Sequence, residues 1–328
     1  MRRCALLTAA LWLASLACAR SAGAAFNNND AGTSAAQFLK LGADARAAGM
    51  GQAARALCED ANAVYWNPAG LAALSYRNTA LTHASYYQST FYEFLAYAQP
   101  IDSILGRNRR ELQTNQLGAV GVGALYLNSG RLDEVDNTGA ATGGNFTPQD
   151  FAAMVAWGGA LTRSIDAGVG VKYVSARIKA AAATGAADFG VRLRQHPWGV
   201  PYVLSLSLHN LGGRLRFHKE SDPLPLQAAV SQSLRPTRNI SLSLDVVAPR
   251  DNRVYPAFGA EFRSAVGPNL TAAARLGWEG RTRASDLSSL SGLGVGAGLG
   301  VARFSLDYAW MPYGLLGDTH RFTLSYRF

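Results

Sequence analysis

From Ser75 to the end of the chain, apolar and polar side chains alternate in fourteen successive segments. Because neighbouring side chains of a β-strand point to opposite faces, each segment predicts a strand with one apolar and one polar face. Most segments are about ten residues long, the length that a tilted strand needs to cross a lipid bilayer. The predicted strands are Ser75–Tyr86, Thr90–Ile101, Gln116–Asn128, Asp150–Thr162, Ile165–Arg177, Ala186–Gln195, Val200–Leu211, Leu224–Arg235, Asn239–Ala248, Val254–Ser264, Asn269–Glu279, Leu290–Gly300, Val301–Met311 and Thr319–Phe328.

The composition of the polar faces favours a closed barrel over a soluble sandwich. In Leu242–Val246, for example, leucine and valine oppose Ser243 and Asp245. The polar faces carry Gly, Ser, Ala and isolated charges, whereas a face in bulk water would be rich in Lys, Glu and Thr. Acidic and basic residues occur together there, which predicts that they neutralise one another in a lumen with limited water. The candidate lumen charges are Asp188, Arg192, Arg194, Asp245, Glu261, Arg275, Arg303 and Asp307.

The segments between the predicted strands differ in length. Longer polar links, such as Asp102–Asn115, Ser129–Gln149 and Gly280–Ser289, alternate with tight turns such as Pro236–Arg238. Unequal connections at the two ends are typical of membrane barrels, and closure removes the edge strands that an open sheet would expose. The sequence therefore predicts an all-β fold, a transmembrane antiparallel β-barrel of about fourteen strands.

Residues 25–74 have a different character, being rich in alanine with little strand alternation. Short helical turns are interrupted by Gly49, Gly51 and the Asn67-Pro68 pair. Such a segment forms either a small cap domain or something that packs inside a larger shell. Glu59 and Asp60 either cap a turn or pair with lumen arginines. The candidate plug or gating residues are Phe38, Tyr65, Trp66, Asn67 and Pro68.

The amino terminus has the three parts of a secretory signal peptide. Arg2 and Arg3 precede an apolar run from Ala5 to Ala17, and Ala22-Gly23-Ala24 resembles a cleavage site. We expect cleavage after Ala24, with lipidation at Cys18 as the alternative. Removal of this peptide leaves Cys58 as the one thiol, so no internal disulfide is expected. The predicted domains are the signal peptide (1–24), the amino-terminal plug segment (25–74) and the barrel (75–328).

Signatures of enzymes and of metal sites are sparse. The five histidines are scattered without a pair at metal-ligand spacing. Glycines repeat within predicted strands at every second position, without the helix that follows a phosphate loop. The net charge of +9 is spread along the chain with no compact basic patch. We therefore expect no enzyme activity, no cofactor, no metal and no nucleic-acid partner.

The last predicted strand has one aromatic and apolar face. Phe322, Leu324, Tyr326 and Phe328 form that face, which resembles the carboxy-terminal assembly signal of bacterial outer-membrane barrels. The resemblance implies insertion into Gram-negative outer-membrane lipid by the barrel-assembly machinery. These four side chains would face lipid, and the last strand would pair with the first. Arg321 and Arg327 would then be lumen groups that need acidic or plug partners.

Several motifs resemble those of the PorV/PorQ family of outer-membrane proteins. Ala31–Lys40, Ala45–Gly51 and Tyr65–Ala72 look like the amino-terminal signature of that family, and Leu242–Asn252 and Gly314–Phe322 look like its carboxy-terminal half. The family is related to FadL-type transporters of hydrophobic compounds. The resemblance implies a fourteen-stranded barrel whose amino-terminal segment plugs the lumen.

Two functions are consistent with this resemblance. The first is a FadL-like passive channel for small hydrophobic solutes such as fatty acids, with the plug governing passage. The second is a non-conducting, PorV-like component of a type IX-like protein secretion system that binds exported proteins. The expected partner is a hydrophobic small molecule in the first case and secretion-system proteins in the second.

Overall fold

The computed structural model describes residues 32–87, 89–105, 117–217, 220–282, 290–313 and 317–328. The predicted signal peptide and the alternative lipidation site at Cys18 lie outside these residues. The described strands are β1 (Asn78–Ser85), β2 (Phe91–Pro100), β3 (Ala119–Asn128), β4 (Leu132–Val135), β5 (Ala141–Phe146), β6 (Gln149–Ala160), β7 (Ile165–Arg177), β8 (Ala181–Gln195), β9 (Tyr202–Gly212), β10 (Arg214–Phe217), β11 (Glu220–Pro223), β12 (Gln227–Leu234), β13 (Ile240–Pro249), β14 (Tyr255–Gly267), β15 (Leu270–Glu279), β16 (Leu293–Val301), β17 (Phe304–Pro312) and β18 (Asp318–Arg327).

Fourteen of these strands form a closed antiparallel barrel, as the alternation predicts. Each barrel strand pairs with the barrel strands before and after it in the chain. The barrel closes where β18 pairs with β1, with Arg327 opposite Asn78 and His320 opposite Ser85. The fold class inferred from the sequence is therefore confirmed.

Two hairpins lie outside the barrel. β4 pairs with β5 in the link between β3 and β6, and β10 pairs with β11 in the link between β9 and β12. The first hairpin lies in a link that the sequence predicts as a loop. The alternation in this polar link is too weak to distinguish a short solvated hairpin from a loop. We call the end of the barrel that carries both hairpins the loop end. The opposite end has tight connections such as 161–164, 268–269 and 302–303, and we call it the turn end.

The outer surface of the barrel is apolar. Phe322 and Leu324 on β18 and Phe328 directly after it are 46%, 48% and 55% exposed, and the ring of Tyr326 lies 4.6 Å from that of Phe304. Bulky apolar side chains this exposed on every wall are expected of a surface that faces lipid tails. None of the helices in the described residues has the length and apolar character needed to cross a membrane.

The amino-terminal segment is folded inside the barrel as a plug. Its elements are a 3₁₀ turn (Gln37–Lys40), α1 (Ala45–Gly49), α2 (Ala63–Trp66) and a second 3₁₀ turn (Pro68–Ala73); a further short helix, α3 (Ile101–Ile104), follows β2. Asp44 caps α1 by accepting a hydrogen bond from the Ala47 amide, and Asn67 caps the last turn in the same way. The plug ends at Ala73 and the first barrel strand begins at Asn78.

Glycines on the inner wall let the plug backbone approach the strands closely. A Cβ on Gly277 of β15 would overlap the carbonyl carbon of Met50 and the amide nitrogen of Gly51. A Cβ on Gly168 of β7 would overlap Pro68 and the amide of Ala69. These glycines therefore provide contact surfaces for the plug. Of the glycines at every second position in β16, Gly294 and Gly296 also contact the plug, whereas Gly298 and Gly300 face side chains of the wall.

Candidate functional site

The lumen around the plug has two chemically different walls. The inward side chains of β2, β3, β6 and the loop half of β7 are mostly apolar, and we call this surface the apolar wall; its larger members are Tyr92, Phe94, Leu125, Met154 and Val174. The inward side chains from β8 round to β18 include most of the lumen charges, and we call this surface the charged wall. Apolar and polar residues alternate in the same way in all fourteen segments, so this pattern does not distinguish the apolar wall from the charged wall.

The plug presents aromatic residues to the apolar wall. The Tyr65 ring lies 4.9 Å from the Trp66 ring and 5.9 Å from the Phe94 ring, and Phe38 belongs to the same buried cluster. The Tyr65 hydroxyl donates to the Leu39 carbonyl at 2.8 Å. Burial raises the pKa of Tyr65 to about 12, so this phenol stays neutral within the cluster. A cavity of about 10 Å³, roughly the size of one water, lies on the other side of Tyr65 and Trp66, against Arg55, Lys172 and His209.

Asn67 and Pro68 lie away from this aromatic cluster. The Asn67 side chain is fully buried, and a Cβ on Gly190 of β8 would overlap its Oδ1 atom. Pro68 lies against Gly158 of β6 and Gly168 of β7. The structure thus places Phe38, Tyr65 and Trp66 in one buried cluster with the apolar wall, and the Asn-Pro pair on a glycine surface toward the turn end.

Three charged side chains of the plug, those of Arg46, Arg55 and Glu59, form ion pairs with the charged wall. Glu59 accepts from Arg192 at 2.7 Å and from Arg235 at 3.1 Å. Burial alone would raise the pKa of Glu59, but the two guanidinium groups outweigh burial and lower it. Arg55 contacts Asp245 at 3.1 Å, with both side chains buried.

The third pair extends into a chain of charges. Arg46 of α1 binds Glu261 of β14 at 2.8 Å, and Glu261 also accepts from Arg275 of β15 at 2.7 Å. Arg275 continues to Asp307 of β17 at 2.8 Å. One helix of the plug is therefore connected to β14, β15 and β17, which satisfies charges that would be unfavourable alone in the lumen.

Two further clusters lie within the barrel wall. Asp188 is paired with Lys172 at 2.7 Å and with His209 at 3.3 Å, and Asp166 is paired with Arg194 at 2.9 Å. Asp188, Arg192, Asp245, Glu261, Arg275 and Asp307 are buried in the lumen, and Arg194 is half-buried at its turn end.

Arg303 differs from the sequence-based expectation. It lies in the tight turn between β16 and β17, is exposed and makes no ion pair with the described part of the plug. Alternation placed it on the polar face because the sequence does not show that β16 ends at Val301 and the next strand begins at Phe304.

Asp60 caps a turn of the plug. It accepts from the Asn62 amide at 2.9 Å, so of the two expected roles, a turn cap or a partner of lumen arginines, the structure shows the turn cap.

Arg321 and Arg327 of the last strand have different environments. Arg321 is fully buried and donates to the Leu41 carbonyl at 3.0 Å and to the Tyr86 hydroxyl at 2.7 Å, so it has a plug partner. Arg327 is exposed at the turn end, and its guanidinium lies 5.1 Å from the centre of the Tyr76 ring.

Sequence reasoning missed the basic residues of the plug. Lys40, Arg46 and Arg55 each bind a carboxylate of the barrel or its loops, Lys40 through Asp251 at 2.8 Å. Isolated basic residues in an alanine-rich segment that is predicted to be internal are a signal that could have identified them. Among the described residues, no group of three or more His, Cys, Asp and Glu side chains is arranged to hold a metal ion.

Comparisons with known proteins support the fold. No family model matches the chain, and no curated protein has significant sequence similarity to it. The Pseudomonas putida toluene transporter TodX is similar in structure, with a TM-score of 0.59 at 10% identity over 87% of this chain and 98% of that one. The monoaromatic hydrocarbon channel CymD gives 0.56 at 10% identity, over 88% and 98% of the two chains. The Ralstonia pickettii toluene transporter TbuX gives 0.54 at 12% identity, over 88% and 98%.

These likenesses concern the fold, since the identities are low. They support a β-barrel fold of this kind, in agreement with the observed topology. They give no support to the resemblance to the PorV/PorQ family.

Proposed function

We propose that this protein is a passive outer-membrane channel for small hydrophobic solutes. The observation that carries the proposal is the apolar wall, which faces aromatic plug residues inside a barrel whose exterior is also apolar. Apolar solutes leave water favourably for such a surface. The structurally similar TodX, TbuX and CymD, which are described as toluene transporters and a monoaromatic hydrocarbon channel, also support it.

The distribution of contacts around the plug indicates where a solute would pass. The ion pairs of Arg46, Arg55 and Glu59 all reach strands from β8 to β15, so they hold the plug against the charged wall. On the opposite side, Tyr65 packs against Phe94 and belongs, with Phe38 and Trp66, to one buried cluster that is held by non-directional packing. Packing of this kind yields to a small apolar molecule more readily than a buried ion pair does. We place the route between the plug and the apolar wall.

Phe38, Tyr65 and Trp66 of the plug are buried in one cluster with Phe94 and Met154 of the apolar wall. Passage along this wall therefore requires the plug to shift, and the plug acts as the gate. Met154 is a suitable probe of the route, because it is buried on β6 near Gly123 and Phe94.

The test is uptake of labelled toluene and decanoate by Gram-negative cells that lack other channels for hydrophobic solutes. Cells that express the chain should take up at least one solute faster than cells without it. Met154→Gln, which keeps the length of the side chain but adds a polar amide, should slow that uptake several-fold. Met154→Leu, the apolar control of similar volume, should leave it unchanged. No chain-dependent uptake of any hydrophobic solute would refute the proposal.

A second function has one specific observation in its favour. Ion pairs fix the plug to the charged wall at Arg55–Asp245 and continue along that wall to Arg275–Asp307, and a plug fixed in this way suits a protein that conducts nothing. The β4–β5 and β10–β11 hairpins at the loop end could then bind exported proteins of a secretion system. Co-purification of a secreted protein that is lost when the hairpins are deleted, together with absent uptake, would favour this alternative.

A further inference from the structure

A chamber lies at the mouth of the barrel at its turn end. Its volume is about 410 Å³, and it is bounded by β14, β15, β16 and β17 with their tight turns. Four of its inward residues, Ala265, Ala273, Gly298 and Gly300, are small, which leaves the space open. We call it the turn-end chamber.

The chamber is lined mainly by positive charge. Arg263, Arg275, Arg303 and Arg327 line it, whereas Asp307 is its one lining carboxylate among the described residues. Glu261 lies behind Arg275 but is shared by three guanidinium groups, those of Arg46, Arg263 and Arg275. The nearby carboxylates therefore do not balance the arginines.

One of these arginines is buried and incompletely satisfied. Arg275 is 3% exposed; its Nε atom donates to Glu261 and its Nη1 atom lies 2.8 Å from Asp307, but Nη2 has no hydrogen-bond acceptor among the described residues. A Cβ on Gly298 would lie 2.8 Å from that Nη2 atom. Gly298 thus leaves the guanidinium edge uncovered, and a buried donor without an acceptor is unfavourable unless a ligand supplies one.

We propose that the turn-end chamber binds an oxyanion, the carboxylate or phosphate group of a small ligand. The planar guanidinium fork matches two oxygens of such a group, and Arg263, Arg303 and Arg327 add charge around it. The hydroxyl-bearing residues Ser305 and Thr271 also line the chamber and can donate to the remaining oxygen. The site is separate from the apolar wall and binds whether or not solutes are transported.

The test is binding to the purified full chain in neutral detergent, measured by calorimetry with sodium benzoate and with inorganic phosphate as probes. We expect saturable binding of at least one anion, weakened by added chloride because the attraction is electrostatic. The double variant Arg303→Gln/Arg327→Gln should weaken binding about tenfold or more. Both positions are exposed, so the barrel should still fold. Arg238→Gln, an exposed arginine in another tight turn of the same end, should leave binding unchanged.

Asp307→Asn should change the affinity for the anion in the opposite direction, which makes it a sharper test. Removal of this carboxylate takes away the competitor for Arg275 Nη1, so the affinity for the anion should rise several-fold. Benzoate binding alone would identify a carboxylate ligand, and phosphate binding alone would identify a phosphate ligand; either supports the site. Absence of binding by both probes at millimolar concentration, or equal binding by wild type and by the Arg303→Gln/Arg327→Gln variant, would overturn it.

Discussion

Arg55 and Asp245 join the plug to the barrel wall through an ion pair of 3.1 Å in which both side chains are buried. Arg55 also lies over the Trp66 ring, with its guanidinium carbon 5.3 Å from the ring centre. One plug residue therefore contacts both the charged wall and the aromatic cluster. Loss of this pair should therefore disturb the contacts of the plug on both sides of the lumen.

Asp245→Asn should release the plug, because it leaves the Arg55 cation buried without its counter-charge. Breaking one side of a buried pair destabilises by about 3–5 kcal/mol. Hydrogen–deuterium exchange of residues 45–66 should therefore become faster by orders of magnitude. In the control Arg55→Met/Asp245→Asn both charges are absent, so much of the protection should return. Equal exchange in the single and double variants would contradict a role for the pair.

The anchor at Glu59 should depend on pH. The pKa of Glu59 in the folded protein is lowered, since Arg192 and Arg235 outweigh the effect of burial. Its stabilisation is therefore complete above the ordinary Glu pKa of about 4.3 and is lost as the pH falls through the lowered value.

Conductance across a planar bilayer should accordingly rise on acidification below about pH 4.3. Glu59→Gln should conduct more at neutral pH and show a smaller rise with acid, because the titrating group is gone. An acid response of the same size in wild type and in Glu59→Gln would assign the effect to other carboxyl groups.

Gly277→Ala should displace α1 of the plug. The added methyl group would overlap the backbone of Met50 and Gly51, which cannot move as a flexible side chain would. Overpacking of this kind typically costs about 1–3 kcal/mol, so thermal unfolding should occur at a lower temperature. Gly185→Ala on β8 is the matched control, because the nearest atom to its new Cβ would lie 3.7 Å away. Equal stability of the two variants would argue against close plug–wall contact.

Leu324→Lys should destabilise the barrel in lipid. Leu324 is 48% exposed in the middle of β18, and its neighbours across the strands are Leu81 and Leu306. A lysine on the lipid face costs about 2–4 kcal/mol near the bilayer midplane. Val135→Lys, in the exposed β4–β5 hairpin, should change the free energy of unfolding in phosphatidylcholine vesicles by less than about 0.5 kcal/mol. A similar small effect at Leu324 would mean that this face does not contact lipid.

Much of the fold was predictable from local sequence pattern. Alternation has a period of two in any half-buried strand, so all fourteen barrel strands could be located, and β7 has the predicted bounds Ile165–Arg177. The β10–β11 hairpin lay between two predicted strands and was not foreseen. Short polar hairpins carry little apolar alternation, which is the signal that identifies strands.

The candidate site was predictable only in its residue types. The charges Asp245, Glu261 and Arg275 were assigned to the lumen from their strand faces, and the aromatic residues Tyr65 and Trp66 to the plug. The plug residues that pair with Glu261 and Asp245 could not be predicted. Arg46 and Arg55 lie far away in the chain and contact the wall only after the plug enters the barrel.

The sequence by itself determined that this chain forms amphipathic strands with an apolar outer face, since side-chain direction follows from strand geometry alone. The tertiary structure decided how the lumen is divided into an apolar wall and a charged wall, and which plug residue meets each. It also decided that Arg303 lines a chamber at the turn end without pairing with the plug. The physical reason is that strand alternation specifies inside or outside, whereas neighbours across the lumen depend on barrel closure and on the path of the plug.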